Sequence, residues 1–214
     1  MKENKNETRW ERFLQIRTMG RDDSNADQYR YPYEPTPYSV LERLANTGLI
    51  RKDNTLLDYG CGKGRVDFFL SYQTRCQSIG IEYDERIYEK ATENKETAIS
   101  SGRVTIELTN AENFMVSEIV DRIYFFNPFS VEILQKVISR IVDSYYENMR
   151  FIQLFFYYPS DEYITYLMTV DELIFADEID CQDLFPGNDS REKIVVFEMG
   201  ELQVRENEKR KIVK

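Results

Sequence analysis

The sequence predicts one α/β domain, a mostly parallel sheet of seven strands with helices on both faces. Three observations predict it. Short apolar runs alternate with segments of helical period from Thr55 to about residue 168, and that alternation implies a parallel sheet covered on both sides. The first run, Leu56-Leu57-Asp58-Tyr59, enters Gly60-Cys61-Gly62-Lys63-Gly64, a turn with glycine at every second position. The chain has 214 residues, 42% of them apolar, with 15 Tyr, 13 Phe and one Trp, which suffices for a single domain with a substantial core.

Residues 1–28 are polar and charged, with an amphipathic piece at Trp10, Phe13, Leu14 and Ile16, and read as an N-terminal helix or loose arm. The main domain is placed at 29–200. It opens with Arg30 to Pro37, where Pro32, Pro35 and Pro37 force extended backbone. Tyr38 to Gly48 reads as a helix with Val40, Leu41 and Leu44 on one face and Gly48 as its stop. Strands are predicted at Thr55–Tyr59, Ser78–Tyr83, Val104–Leu108, Arg122–Phe126, Phe151–Tyr157, Leu173–Asp180 and Ile194–Met199. Helices are predicted over 64–73, 86–100, 111–119, 131–147 and 160–168. The fourth of these has the clearest period, from Val131 through Tyr145, with Ser130 as its N-cap. The last two strands follow each other through a loop, 183–191, and pair as an antiparallel end to the sheet. Residues 201–214 form a charged tail in which Lys209-Arg210-Lys211 reads as solvated.

Net charge is −10, a poor footprint for naked nucleic acid. No apolar run reaches the roughly 18–20 residues of a membrane span. Cys61, Cys76 and Cys181 are odd in number and irregularly spaced, which argues against disulfides or a zinc site and for a reducing cytoplasm. Histidine is absent, so the commonest general base near neutral pH is missing, along with every His-containing catalytic or metal set.

The glycine turn lacks the Gly-x-x-x-x-Gly-Lys-Ser/Thr spacing of a phosphate-gripping loop and the Gly-x-Gly-x-x-Gly spacing of a dinucleotide fingerprint. Lys63 and Arg65 therefore read as solvated positions. Glu82 ends the second strand 24 residues after Asp58 (82 − 58), the position of a ribose-hydroxyl acceptor in nucleotide-binding α/β units.

Leu57 through Gly64 resembles motif I of the class I, Rossmann-like S-adenosylmethionine-dependent methyltransferases. The resemblance spans about residues 30–200 and implies a methyltransferase domain at 29–200 with S-adenosyl-L-methionine as cofactor. It places Asp58, Gly60, Cys61 and Gly62 beneath the methionine and ribose moieties, and Glu82, with Tyr83 beside it, at the ribose. Asn110-Ala111 is similar to the family's adenine motif, with Asn110 where Asp is usual; a turn role for Asn110, or a contact from Glu112, stays open. Asn127-Pro128-Phe129 resembles the Asp/Asn-Pro-Pro-Tyr/Phe motif of the amino methyltransferases without its second proline. That resemblance implies that these three residues orient an acceptor nitrogen, with Asn127 also beside the cofactor. The alternative is an Asn-Pro turn with Phe129 in the core. Tyr33 or Thr36 binds the cofactor carboxylate or covers its sulfonium, or else this stretch is a proline-stiffened linker.

The function expected is therefore methyl transfer to nitrogen. The acceptor is a protein or small molecule in preference to nucleic acid, and the enzyme is a monomer or homodimer that uses no metal. A non-catalytic cofactor-binding sensor or partner subunit is the alternative. A nucleotide-dependent oxidoreductase is disfavoured by the glycine spacing.

Overall fold

The computed structural model of the protein describes residues 2–24 and 28–200. The predicted tail, 201–214, lies outside them. Five strands run parallel, β1 (Thr55–Tyr59), β2 (Gln77–Glu82), β3 (Val104–Leu108), β4 (Arg122–Phe125) and β5 (Ile152–Tyr157). Two more close the sheet, β6 (Ile174–Asp180) and β7 (Lys193–Met199), in the spatial order β3-β2-β1-β4-β5-β7-β6. β7 is antiparallel to both β5 and β6. The chain winds outward from β1 to β3 and then returns to place β4 beside β1. That reversal opens a crevice at the carboxyl ends of β1 and β4, where open α/β sheets receive ligands.

β1 and β5 are buried along their whole length, as central strands covered on both faces must be. Successive side chains point to opposite faces and feed two cores. Leu56, Tyr124, Phe155 and Tyr157 join one core, with α1 (Lys2–Leu14), α2 (Tyr38–Asn46), α3 (Arg65–Thr74) and α4 (Glu85–Thr97). Leu57, Tyr59, Ile123, Phe125, Leu154 and Phe156 join the other, beneath α5 (Val131–Glu147) and α6 (Asp161–Leu167). Tyr59, Phe125 and Phe156 stack in a ladder across β1, β4 and β5, with centroids 5.1 and 4.6 Å apart. Each such aromatic pair adds about 0.5–1.5 kcal/mol beyond its burial.

Three elements refine or correct the sequence expectation. The helix predicted over 111–119 is a single 3-10 turn, Ala111–Asn113, followed by extended chain. Phe114 and Val116 are buried while Met115 between them is 68% exposed, a period of two that a helix cannot supply. The N-terminal arm is a docked helix. Leu14 and Ile16 lie in the core, and Trp10 meets Phe69 edge-on at 4.9 Å. Ser130 stands at the N-cap of α5, but its hydroxyl bonds no backbone N–H there. Among the described residues no helix is long and apolar enough to cross a membrane.

Candidate active site

Asp58 and Tyr59 carry β1 to the sheet edge, and the chain turns through Gly60 and Gly62, both at positive φ (72° and 57°). A Cβ on Gly60 would stand 2.5 Å from the Cβ of Pro128, and one on Gly62 would stand 2.1 Å from the Tyr33 ring. No other residue fits either place, so the loop lies pressed between the turn after β4 and the segment before α2. The backbone N–H groups of Gly60 and Cys61 both donate to the Ile81 carbonyl at 3.0 Å. The Gly62 N–H donates to Glu82 Oε2 at 3.0 Å, and Glu82 Oε1 accepts from the Tyr83 and Asp84 N–H groups at 2.8 and 2.9 Å. Burial raises the Glu82 pKa against the opposing effect of these three donors. Glu82 thus joins the end of β2 to the glycine turn.

Lys63 and Arg65 depart from expectation, because both are buried. The Lys63 ammonium sits 4.5 Å from the centroid of the Tyr33 ring and donates to the Met19 carbonyl at 3.2 Å. The Arg65 guanidinium is enclosed by α1. It pairs with Glu7 and, at 3.3 Å, with Glu11; it also donates to Thr18 Oγ1 at 2.6 Å and to the Thr36 carbonyl at 3.1 Å. No spacing rule within the glycine motif could anticipate partners 29 to 58 residues upstream.

The segment before α2 forms a strap across the crevice. Tyr33 pairs with Asp22 through two backbone hydrogen bonds of 3.0 Å. The Tyr31 N–H donates to the Pro128 carbonyl at 3.2 Å and the Ser130 N–H to the Tyr29 carbonyl at 2.8 Å, so the strap runs antiparallel along the turn after β4. The Tyr33 hydroxyl donates to the Thr18 carbonyl at 2.5 Å, and burial raises its pKa. Thr36 Oγ1 and the Tyr124 hydroxyl share a hydrogen bond of 3.1 Å.

The resulting cleft is lined by Tyr33, Thr36, Asp58, Gly60, Cys61, Glu82 and Tyr83, and further along by Asn110, Ala111, Pro128 and Phe129. Of the residues named from the sequence, Gly62 and Asn127 stand behind its surface. Asp22, Arg30, Asp84 and Tyr124 line it without having been anticipated. Arg30 stacks on the Tyr83 ring at 4.7 Å, and Asp84 caps α4 through the Arg86 N–H at 3.0 Å. Asp84 had a local signal, an acid one residue before a helix; Asp22 and Arg30 had none. Asn110 Oδ1 accepts the Glu112 N–H at 3.2 Å, the turn role left open above.

Asn127 and Tyr158 end the adjacent parallel strands β4 and β5, and both hold left-handed backbone, φ 38° and 51°. Such conformations cost roughly 1–3 kcal/mol each in residues with a Cβ and collect at functional sites. The Asn127 amide nitrogen donates to the Tyr158 carbonyl, which settles the orientation of the amide, and Asn127 Oδ1 is then buried with no partner. The Phe129 ring is buried and meets Tyr59 and Phe125 edge-on at 6.4 and 6.3 Å. It packs in the core while the residue also lines the cleft. Among the described residues no group of three or more His, Cys, Asp or Glu is placed to hold a metal ion.

The residues fit an adenosyl cofactor on structural grounds, with a glycine cradle that a Cβ would fill, a buried carboxylate at the end of β2 and a cleft over both. Residues 50–162 match the methyltransferase-domain family. Over 88 residues the chain is 28% identical to a protein-lysine N-methyltransferase of Saccharolobus islandicus (strain REY15A), covering 41% of this chain and 55% of that protein. The chain therefore spans about half the length of the curated relative it matches. Among solved structures, the Escherichia coli protein yhhF superposes with a TM-score of 0.62 at 16% identity, over 85% of this chain and 99% of that one. An RNA methyltransferase from Salinibacter ruber, solved with S-adenosyl-L-homocysteine, does so with a TM-score of 0.56 at 16% identity, over 78% and 95%. The structures share the fold, and the family match covers more than half of the sequence. The chain belongs to the class I S-adenosylmethionine-dependent methyltransferases.

Proposed function

We propose that the protein transfers a methyl group from S-adenosylmethionine to an amine nitrogen, with Asn127 orienting the acceptor. The observation that carries this reading is the buried Asn127 Oδ1, an acceptor without a donor beside the glycine cradle. An unpaired buried carbonyl costs about 1–3 kcal/mol, a cost that an incoming amine N–H would remove. When bound, the cofactor supplies an electrophilic methyl group on a sulfonium. Tyr158 holds the Asn127 amide by its backbone carbonyl, so the free oxygen keeps one direction. An amine bonded to that oxygen would be held in one orientation with its lone pair left free for the methyl group. The bound donor would give this methyl group to the nitrogen and leave as its neutral thioether. The surplus proton leaves the nitrogen afterwards, so the lack of histidine is no obstacle. Alignment of this kind is worth several kcal/mol. Glu82, Tyr83, Asp58, Asn110 and Ala111 line the same cleft, and we assign them with Gly60, Cys61, Gly62, Tyr33 and Thr36 to the cofactor.

The acceptor we favour is a lysine side chain of a protein. The Saccharolobus relative bears that activity in its name. The helices that follow β4 and β5 also begin with exposed carboxylates, Glu132, Asp161 and Glu162, which suit a cationic chain and repel phosphate. The alternative, a cofactor-binding subunit without catalysis, has one observation behind it, the pairing of the strap with the turn after β4.

One assay separates these readings, transfer of a tritiated methyl group to cell extract, fractionated into protein, RNA and small molecules. We expect label in protein, a large loss of it in Asn127→Ala, and unchanged binding of S-adenosylhomocysteine by that variant. Label confined to RNA would refute the acceptor, and undiminished transfer by Asn127→Ala would refute the role of Asn127.

A further inference from the structure

Below the glycine turn Asp58 meets a second buried acid, Asp67, which the cofactor assignment does not use. Asp58 ends β1 and lines the cleft; Asp67 sits in the first turn of α3 with no exposed surface. Asp67 Oδ1 accepts the Ser78 hydroxyl at 2.6 Å. Asp67 Oδ2 is buried and has no donor if both acids are ionised. Asp67 Oδ2 lies over Gly80, whose register partner on β1 is Asp58, so a proton on Asp58 would supply that donor. Facing the pair are Glu82 from β2, the Cys61 thiol from the turn and the Tyr124 hydroxyl from β4, none of which carries positive charge. Space is tight as well, since a Cβ on Gly80 would stand 2.7 Å from Asp67 Oδ2. The nearest guanidinium in sequence, Arg65, is committed to Glu7 and Glu11. Two buried carboxylates in contact without a cation cannot both ionise cheaply, so one proton belongs to the pair.

We propose that Asp58 and Asp67 hold this proton in the cofactor-free protein and release it when a sulfonium enters the cleft, so that the site prefers the charged methyl donor to its neutral thioether product. The inference rests on the cofactor reading above. S-adenosylmethionine and S-adenosylhomocysteine share their carboxylate, amino and adenosine groups and differ by a methyl group and one positive charge. Any difference in proton release between them therefore reports the sulfur. A cation over the cleft favours the ionised pair, whereas a thioether only desolvates it. Burial raises both carboxyls, and the charge of Asp67 raises Asp58 further, so the pair keeps a proton well above the ordinary carboxylate range.

The test is calorimetric titration of the full chain with each ligand at pH 7, in buffers of different ionisation enthalpy. S-adenosylmethionine should release more protons than S-adenosylhomocysteine, and Asp67→Asn should remove the difference. In the unsubstituted protein the ratio of the two affinities should shift towards the sulfonium, by roughly 3- to 10-fold, between pH 6 and pH 8. Equal proton counts with both ligands bound, or a ratio that does not move with pH, would overturn the proposal. No saturable binding of either ligand would instead overturn the cofactor reading.

Discussion

Two buried ionic clusters leave the first turn of α3 in opposite directions. Arg65 points to the N-terminal helix, where Glu7 and Glu11 surround it; Asp67 points beneath the sheet edge, where another acid meets it. The first cluster has a cation for its carboxylates; Thr18 Oγ1 and the Thr36 carbonyl accept further bonds from Arg65, and the Tyr38 hydroxyl donates to Glu11 at 3.0 Å. The second has no cation, only the Ser78 hydroxyl and the proton proposed for the pair. Both are desolvated alike, so the difference lies in compensation. A compensated cluster is fixed in its charge and holds elements together, here α1, the strap and α3. An uncompensated one stays ready to change its charge, and it lies against the ligand cleft.

The largest expected effect breaks the compensated side. Arg65→Ala leaves the buried Glu11 and the half-buried Glu7 without their cation, and denaturant unfolding should show a loss of about 3–5 kcal/mol. Less than about 1 kcal/mol would mean that α1 is not held by this cluster. The second prediction concerns the pair. The folded-state pKa of Asp67 is raised above its unfolded value. Its contribution to stability is therefore complete below about pH 4 and is lost as pH rises towards about 7. Asp67→Asn should flatten the fall in unfolding temperature between pH 5 and pH 8, and parallel profiles for the two proteins would show that Asp67 is ionised throughout. The smallest effect calibrates both. Arg21 pairs with Asp23 and Glu34 at the surface, with more than half of each side chain exposed, and Arg21→Ala should leave the denaturant midpoint unchanged.

The central strands β1, β4 and β5 were legible in the sequence because burial on both faces demands continuous apolar runs, and five of the seven strands run parallel as the alternation with helices implies. The glycine turn was legible because a backbone without Cβ is needed where Pro128 and Tyr33 approach it. The segment 111–119 misled because Ala111, Phe114 and Met115 mimic a helical spacing, whereas burial follows Phe114 and Val116. Lys63 and Arg65 misled because charge in a turn ordinarily means solvent, and nothing local announces that another helix will cover it. Asp67 carried no signal at all, since an acid in the first turn of a helix is commonplace.

Local chemistry therefore settled the elements, their order and the ligand cradle, all of which depend on neighbours a few residues apart. Folding alone decided which charges became partners. The strap across the turn after β4, the cation enclosed by Glu7 and Glu11, the acid pair of Asp58 and Asp67, and the unpaired oxygen of Asn127 each join residues from separate elements. Charge and hydrogen-bond energies depend on distance and burial, and neither exists along a chain until the sheet has formed.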